Sequence, residues 1–283
     1  MMFSEIKKCL LLAIPLSLAQ VAQGATGFVD TVMMGWLGSQ TIASGGLGAS
    51  IFGFCLLLFT GIVSAVSPLA AQAYGSRNQK KVGTIALLGL GISLILAIPI
   101  ALLFCNGGSL LLLLGQDANT AALAQTYLRA IALGFIPALG FAVLKSFLSA
   151  LLQPQLVMVT VVLGTLLNIA ANYVLMFGKL GFPAMGLAGI GWASTFSLWS
   201  MFIALTVYIC NKPQFAVYGI FQPSLYKAFT LEHRHIIGEI FQVGLPIGGL
   251  IAVEVGLFTV VTFLIGQLAL FCHSGSSIIR YRC

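Results

Sequence analysis

The chain is written in long apolar runs broken by short polar stretches. Seven runs are long enough to cross a bilayer as helices, which takes about 20 residues each. They lie at roughly 10–37, 46–72, 83–104, 128–150, 156–177, 187–210 and 239–268. Most connections are short. The longer ones are 105–127, whose helical pattern around Ala118–Gln125 leads toward the fourth run, and 211–238. The latter holds Pro213, Pro223 and the polar run Glu232–His235, and is predicted as a surface segment with a short amphipathic helix. The runs are unbroken rather than alternating, so a β-barrel is excluded. The expected fold class is all-α, a polytopic membrane protein.

The polar positions inside the runs are few. Glu5, Asp117, Glu232 and Glu239 sit in loops or at helix ends, where water solvates them, whereas Asp30 and Glu254 lie within spans. A carboxylate at such depth costs roughly 3 kcal/mol or more, so by default it marks an ion or substrate pathway. Span five adds Asn168 and Asn172, four apart and therefore on one helical face. At 1.5 Å per residue, Asp30, Asn172 and Asn168 fall about 10, 8 and 13 Å from the same surface. One charge and several oxygens at one level suit a proton or a hard cation such as sodium, bound at Asp30, Asn168 and Asn172. For the asparagines an alternative stays open: they could be interhelical hydrogen-bonding groups, worth about 0.6 kcal/mol each.

Charge placement sets orientation. Lys7, Lys8, Arg77, Lys80, Lys81, Lys212, Lys227 and Arg234 precede or join spans on one side, and Lys145 lies near the same side at the end of span four. Arg129 and Lys179 stand on the other. The bias puts the N-terminus in the cytoplasm. A net charge of +7 is thereby explained as topology, with no nucleic-acid partner. Composition agrees: the chain is 59% hydrophobic and 7% charged, against about a quarter in soluble domains, with 32 glycines and a mean hydropathy of +1.07.

Other chemistry is set aside. Cys9, Cys55, Cys105, Cys210, Cys272 and Cys283 are isolated, so neither a zinc site nor a disulfide framework is indicated. Gly45-Gly46-Leu47-Gly48 lacks the lysine of a phosphate-binding loop. His233 and His235 flank Arg234 in a solvated loop rather than forming a metal site. No nucleophile–base pair or HExxH occurs, so the chain is not expected to be an enzyme or to need a cofactor. The first run is too long for a signal peptide. In span six, Trp192, Phe196, Trp199 and Phe202 could line a drug-sized cavity, although lipid contact or core is the commoner fate. Gly244, Gly248, Ala252 and Gly256 form a small-residue face for close packing. Pro15 and Pro246 each free a backbone carbonyl, as a hinge or a static bend.

The first run starts again late in the chain. Ile14–Gly38 overlies Leu245–Ala269, pairing Pro15 with Pro246, Val29 with Val260, Thr31 with Thr262, Gly35 with Gly266 and Leu37 with Leu268. An even number of spans separates the copies, which makes this a parallel repeat. The expected organisation is a six-helix lobe over 1–210, an inter-lobe linker over 211–238, the first helix of a second lobe over 239–268, and an aberrant polar tail over 269–283. Two full lobes at this period would need on the order of 460 residues. The ending FCHSGSSIIRYRC is therefore taken as a truncation or reading-frame artefact.

Four segments carry a resemblance: FVDTVMMGWLG, VSPLAAQAYGSRNQKKVG, GTLLNIAANYVLMFGKLGFPAMGLAGIGWAS and VGLPIGGLIAVEVGLF. In this order, between Ile6 and Leu268, they resemble the multidrug and toxic compound extrusion (MATE) family in its NorM-like bacterial branch. The resemblance implies two six-helix bundles around a central cavity. It implies exchange of sodium or protons for cationic, often aromatic, amphiphilic compounds across the bacterial inner membrane, by a protein monomeric in its full-length form among membrane lipids. By position, Asp30, Asn168 and Asn172 match the family's N-lobe cation or proton site. Glu254 matches the acid of its second-lobe sodium site, and Pro15 matches a bending proline. The second lobe's other ligands are absent from this chain. Two other readings remain: an inactive membrane-inserted remnant, and a lipid-precursor flippase, which would favour a larger and more basic cavity.

Overall fold

The computed structural model describes residues 2–113, 115–220 and 234–279, and no strand occurs among them. The helices are α1 (Met2–Trp36), α2 (Ser39–Val63), α3 (Val66–Gly75), α4 (Gln79–Cys105), α5 (Gly107–Leu113), α6 (Ala118–Ala132), α7 (Phe135–Ala150), α8 (Pro154–Phe177), α9 (Leu187–Asn211), α10 (Pro213–Ala216) and α11 (Arg234–Ile279). Among the described residues, five helical stretches are long and apolar enough to span a membrane, and the bent pair α6–α7 makes a sixth. The second of the predicted runs is α2 continued by α3. Pro68 has no N–H for the Ser64 carbonyl, so the helix breaks there and Ser67 N donates to it at 2.9 Å instead.

The fourth predicted run, 128–150, differs in the structure. The helix starts at Ala118, because Asp117 caps it: Oδ2 accepts from Asn119 N at 3.1 Å and Thr120 N at 3.3 Å. It then bends by 49° between Ala132 and Phe135. Pro137 cannot donate to the Leu133 carbonyl, which is a sufficient cause. The Ala130 carbonyl accepts from Thr195 Oγ1 at 2.7 Å, so α9 satisfies a group at the bend. Asp117→Ala is expected to lower stability by about 1 kcal/mol, a typical cap loss. An unchanged thermal midpoint in detergent would mean that packing alone holds the start of α6.

Two hydrophobic cores lie along the bundle. One gathers α3, α4 and α7 with Val157 and Val161 of α8, Leu205 and Ile209 of α9, and Ile236 and Ile240 of α11. The other collects Met33 and Met34 of α1 with Phe52 of α2, Phe104 of α4, Phe135 of α7 and most of the buried face of α6. Phe104 and Phe135 meet edge to face at 5.4 Å. Outside these cores, α11 packs along α2 on the small-residue face expected from the sequence. Gly244 and Gly248 are buried there, and a methyl group on Gly61 would come within 2.7 Å of Gly248 Cα. Residues 221–233, with Pro223, Lys227, Glu232 and His233 of the expected linker, lie outside the described residues. So do Arg280 and Arg282 of the expected tail, whose earlier part, 269–279, is included in α11.

Candidate functional site

Helix α1 carries polar residues within its apolar length. Gln20, Gln23, Thr26, Asp30 and Thr31 fall along one side, where they line a cavity of about 490 Å³ inside the bundle. The rest of the wall comes from α2, α6, α8 and α9, including Phe52, Tyr127, Thr165, Asn168 and Ser194. That volume is in the range of drug-binding pockets, and a mostly apolar wall with a few convergent polar groups is their usual make-up.

The wall behind Asp30 is held by close packing. Gly189 on α9 lies where a methyl group would meet the Leu175 carbonyl of α8 at 2.8 Å, so the two backbones touch. Ser197 Oγ donates to the Gly164 carbonyl at 2.7 Å. Helix α1 joins α8 through two hydroxyls, Thr26 and Thr165, which lie 2.9 Å apart and both reach the Ala22 carbonyl, at 3.1 and 3.3 Å. Asp30 is thereby placed against α8 and α9.

A short network follows. Asn172 Nδ2 donates to Asp30 Oδ1 at 2.6 Å and to Asn168 Oδ1 at 3.0 Å. Asn168 Nδ2 donates to Ser194 Oγ at 3.2 Å, and Ser194 Oγ donates to Asp30 Oδ2 at 3.4 Å. Asn168 and Asn172 are 1% and 0% exposed. The Asn172 Oδ1 atom is buried and has no hydrogen-bond partner among the described residues. An acceptor left this way costs about 1–3 kcal/mol unless something fills it. The set offers a carboxylate, two amide oxygens and a hydroxyl, which is hard-cation chemistry.

The structure thus brings together Asp30, Asn168 and Asn172, as the depth comparison anticipated. Glu254 is not with them; it stands exposed on α11, outside this cavity. Pro15 is buried within α1 and Pro246 is exposed within α11. Sequence reasoning missed Ser194 and Tyr127. The aromatics of α9 follow the commoner fate weighed for them: Trp192, Phe196 and Trp199 are exposed on the outside of the bundle, and Phe202 packs against the core. Ser194, Ser197, Leu198 and Met201 line the cavity instead. They recur at three- and four-residue spacing, but so do Trp192, Phe196 and Trp199, so spacing alone did not separate the two sides.

Residues 15–174 match the MatE family model. The chain belongs to the MatE family. A probable multidrug resistance protein NorM of Synechococcus sp. is 43% identical over 265 residues, covering 94% of this chain and 56% of the relative. Multidrug resistance protein PmpM of Pseudomonas aeruginosa is 35% identical over 267 residues, covering 94% and 55%. The chain therefore spans about half the length of the curated relatives it matches. Among solved structures, the eukaryotic MATE transporter AtDTX14 superposes with a TM-score of 0.79 at 21% identity, over 89% of this chain and 54% of that one. A MATE in complex with Br-NRF gives 0.73 at 23% identity, over 89% and 56%. At those identities the likeness speaks for the MATE fold, and with the apolar helices it makes this a multi-pass membrane protein.

Proposed function

We propose that this MatE chain works in multidrug efflux by antiport, its cavity alternately holding a cationic amphiphilic compound and a coupling cation at Asp30. One observation carries the reading: a membrane-embedded carboxylate beside the unpartnered Oδ1 of buried Asn172. A sodium ion would take oxygens of Asp30, Asn172 and Asn168; a proton would neutralise Asp30 alone. Either removes the negative charge that attracts a cationic substrate, so ion and drug compete. Competition produces net transport when each ligand favours a different access state. The naming of relatives as multidrug resistance proteins supports the substrate class.

The protein lies in the bacterial inner membrane with the N-terminus of α1 in the cytoplasm, the orientation that the lysine and arginine distribution favours. Pro15 leaves the Leu11 carbonyl without its helical donor, which gives α1 a place to bend between the two states, and Pro246 gives α11 the same. Glu254 is the acid of a second cation site, separate from this cavity. The test is efflux of a fluorescent cationic dye from cells expressing this chain, under an imposed sodium gradient and then a proton gradient. Efflux is expected to rise with one of them and so to identify the coupling ion. Background efflux under both overturns the proposal.

A further inference from the structure

At the turn between α3 and α4 lies another cavity, of about 390 Å³, lined by Tyr74, Gly75, Arg77, Gln79 and Val82. It is separate from the one that holds Asp30, and no residue lines both. Helix α3 ends in a Schellman turn: Arg77 N donates to the Tyr74 carbonyl and Asn78 N to the Ala73 carbonyl, each at 3.0 Å. Arg77 stands at the left-handed position of that turn, with φ 57°. Glycine is the usual residue there, because a Cβ is strained at positive φ. The backbone therefore gains nothing from an arginine. Its side chain is not needed as a cap either, and among the described residues the guanidinium has no partner.

Orientation in the membrane asks for positive charge somewhere in the loop, but for neither a cavity nor a strained backbone. Lys80 and Lys81 add two more charges at the start of α4, and among the described residues none of the three forms an ion pair. Tyr74 and Tyr218 bring two phenols to the same end of the bundle. Burial raises the Tyr218 phenol above its usual range and Tyr74 beside it adds to the shift, so Tyr218 keeps its proton and can donate. Tyr218 is fixed by Phe147, edge to face at 5.8 Å, and its backbone carbonyl fills the place of a side chain on Gly83 of α4. The buried Val82 stands just before the apolar run 83–104. The cavity is thus at headgroup depth, where tyrosines and basic residues gather at the end of a span.

We infer that this cavity binds the phosphate of an anionic membrane lipid, with Arg77 as its anchor and the Tyr74 hydroxyl as a further donor. A guanidinium presents parallel N–H groups that match a phosphate, which a lone ammonium does not. A zwitterionic headgroup would bring its own cation against Arg77, Lys80 and Lys81, whereas phosphatidylglycerol brings only negative charge. A volume of about 390 Å³ is at the small end of ligand pockets, and suits a headgroup whose acyl chains stay in the bilayer. The inference takes from the proposed orientation that this turn faces the cytoplasm, where anionic lipids give the leaflet its negative potential. It does not depend on the efflux reading.

The test measures binding of a fluorescent short-chain phosphatidylglycerol to the full chain in neutral detergent, by anisotropy, against phosphatidylcholine with the same label. Phosphatidylglycerol is expected to bind about tenfold tighter, the worth of one charge-assisted hydrogen bond. Arg77→Gly removes the guanidinium and suits the positive φ. It should bring the ratio near one while the thermal midpoint without added lipid stays equal or rises. Gly75→Leu keeps every charge but intrudes on the cavity, since a Cβ there meets nothing within 4 Å, and it should remove the preference too. Lys212→Gln takes one positive charge from the same side, outside the lining, and should leave the preference intact. Equal binding of the two lipids by the unaltered chain overturns the inference, as does a preference that survives either Arg77→Gly or Gly75→Leu. Loss of the preference in Lys212→Gln as well would assign it to diffuse charge. Displacement of the labelled lipid by an equal concentration of glycerol phosphate would assign the cavity to a soluble phosphate. Either result overturns the lipid, and none of these outcomes bears on dye efflux.

Discussion

Asp30→Asn is expected to abolish cation-coupled efflux while the chain still reaches the membrane. The substitution keeps the shape of the side chain, and an asparagine carbonyl can still accept from Asn172 Nδ2, now 2.6 Å from Oδ1. Ser194 Oγ, 3.4 Å from the other oxygen, makes the weaker bond and loses less. The packing between α1 and α8 rests on Thr26, Thr165 and the Ala22 carbonyl, none of which is touched. What disappears is the charge. A cationic compound then loses a charge-assisted contact of about 1.5–3 kcal/mol, or roughly 10- to 100-fold in affinity. A proton has no group to occupy, and a sodium ion faces only neutral oxygens. Coupling requires that ion and drug exclude each other, so its loss should be complete even where some drug binding persists. The measurement is dye efflux normalised to membrane-inserted protein. Efflux equal to that of the unaltered chain would remove Asp30 from the mechanism.

How far the site was legible depends on the side chain. Asp30 was legible because charge inside a span has few bland uses, and Asn168 with Asn172 because a spacing of four fixes a shared face. Serine and threonine carry no comparable signal. Thr31, Ser50, Thr160, Ser200 and Thr206 each donate to the carbonyl four residues back on their own helix. Ser194 and Thr165 instead reach across to another helix, and sequence cannot distinguish the two habits. A helix apolar on all sides likewise gives no direction. That is why the side of α9 bearing Ser194 was not picked out as a cavity wall. Lys145 was assigned to topology on its position near a helix end. The order of the apolar runs was legible from length and hydropathy; seven were expected, and among the described residues five helical stretches, or six with the bent pair, are long and apolar enough to span. The break between α6 and α7 was missed although Gly134 and Pro137 stood in the run, because a proline within a membrane helix is compatible with a kink of any size.

The contact of α2 with α11 yields the other large expected effect, a loss of stability on Gly61→Val. In an isolated helix this replacement would be favourable by a few tenths of a kcal/mol, since glycine is the poorer helix former. Here a Cβ at position 61 would come within 2.7 Å of Gly248 Cα and 3.0 Å of its amide nitrogen. Those are backbone atoms, which cannot turn aside as a side-chain tip can. Valine brings two further methyl groups, so α11 must shift away from α2. Overpacking of this kind costs about 1–3 kcal/mol, which outweighs the gain in propensity. The control is Gly249→Val on the facing helix, where an added Cβ meets nothing within 4 Å and stability should be unchanged or slightly raised. The effect should also reach the cavity, because Leu56 and Leu57, about one turn before Gly61 on α2, belong to its wall. Gly61→Val is therefore expected to lower the thermal midpoint in detergent and weaken cationic-dye binding together, with Gly249→Val altering neither. Equal midpoints for the two variants would mean that α11 is not held against α2 as closely as this packing requires.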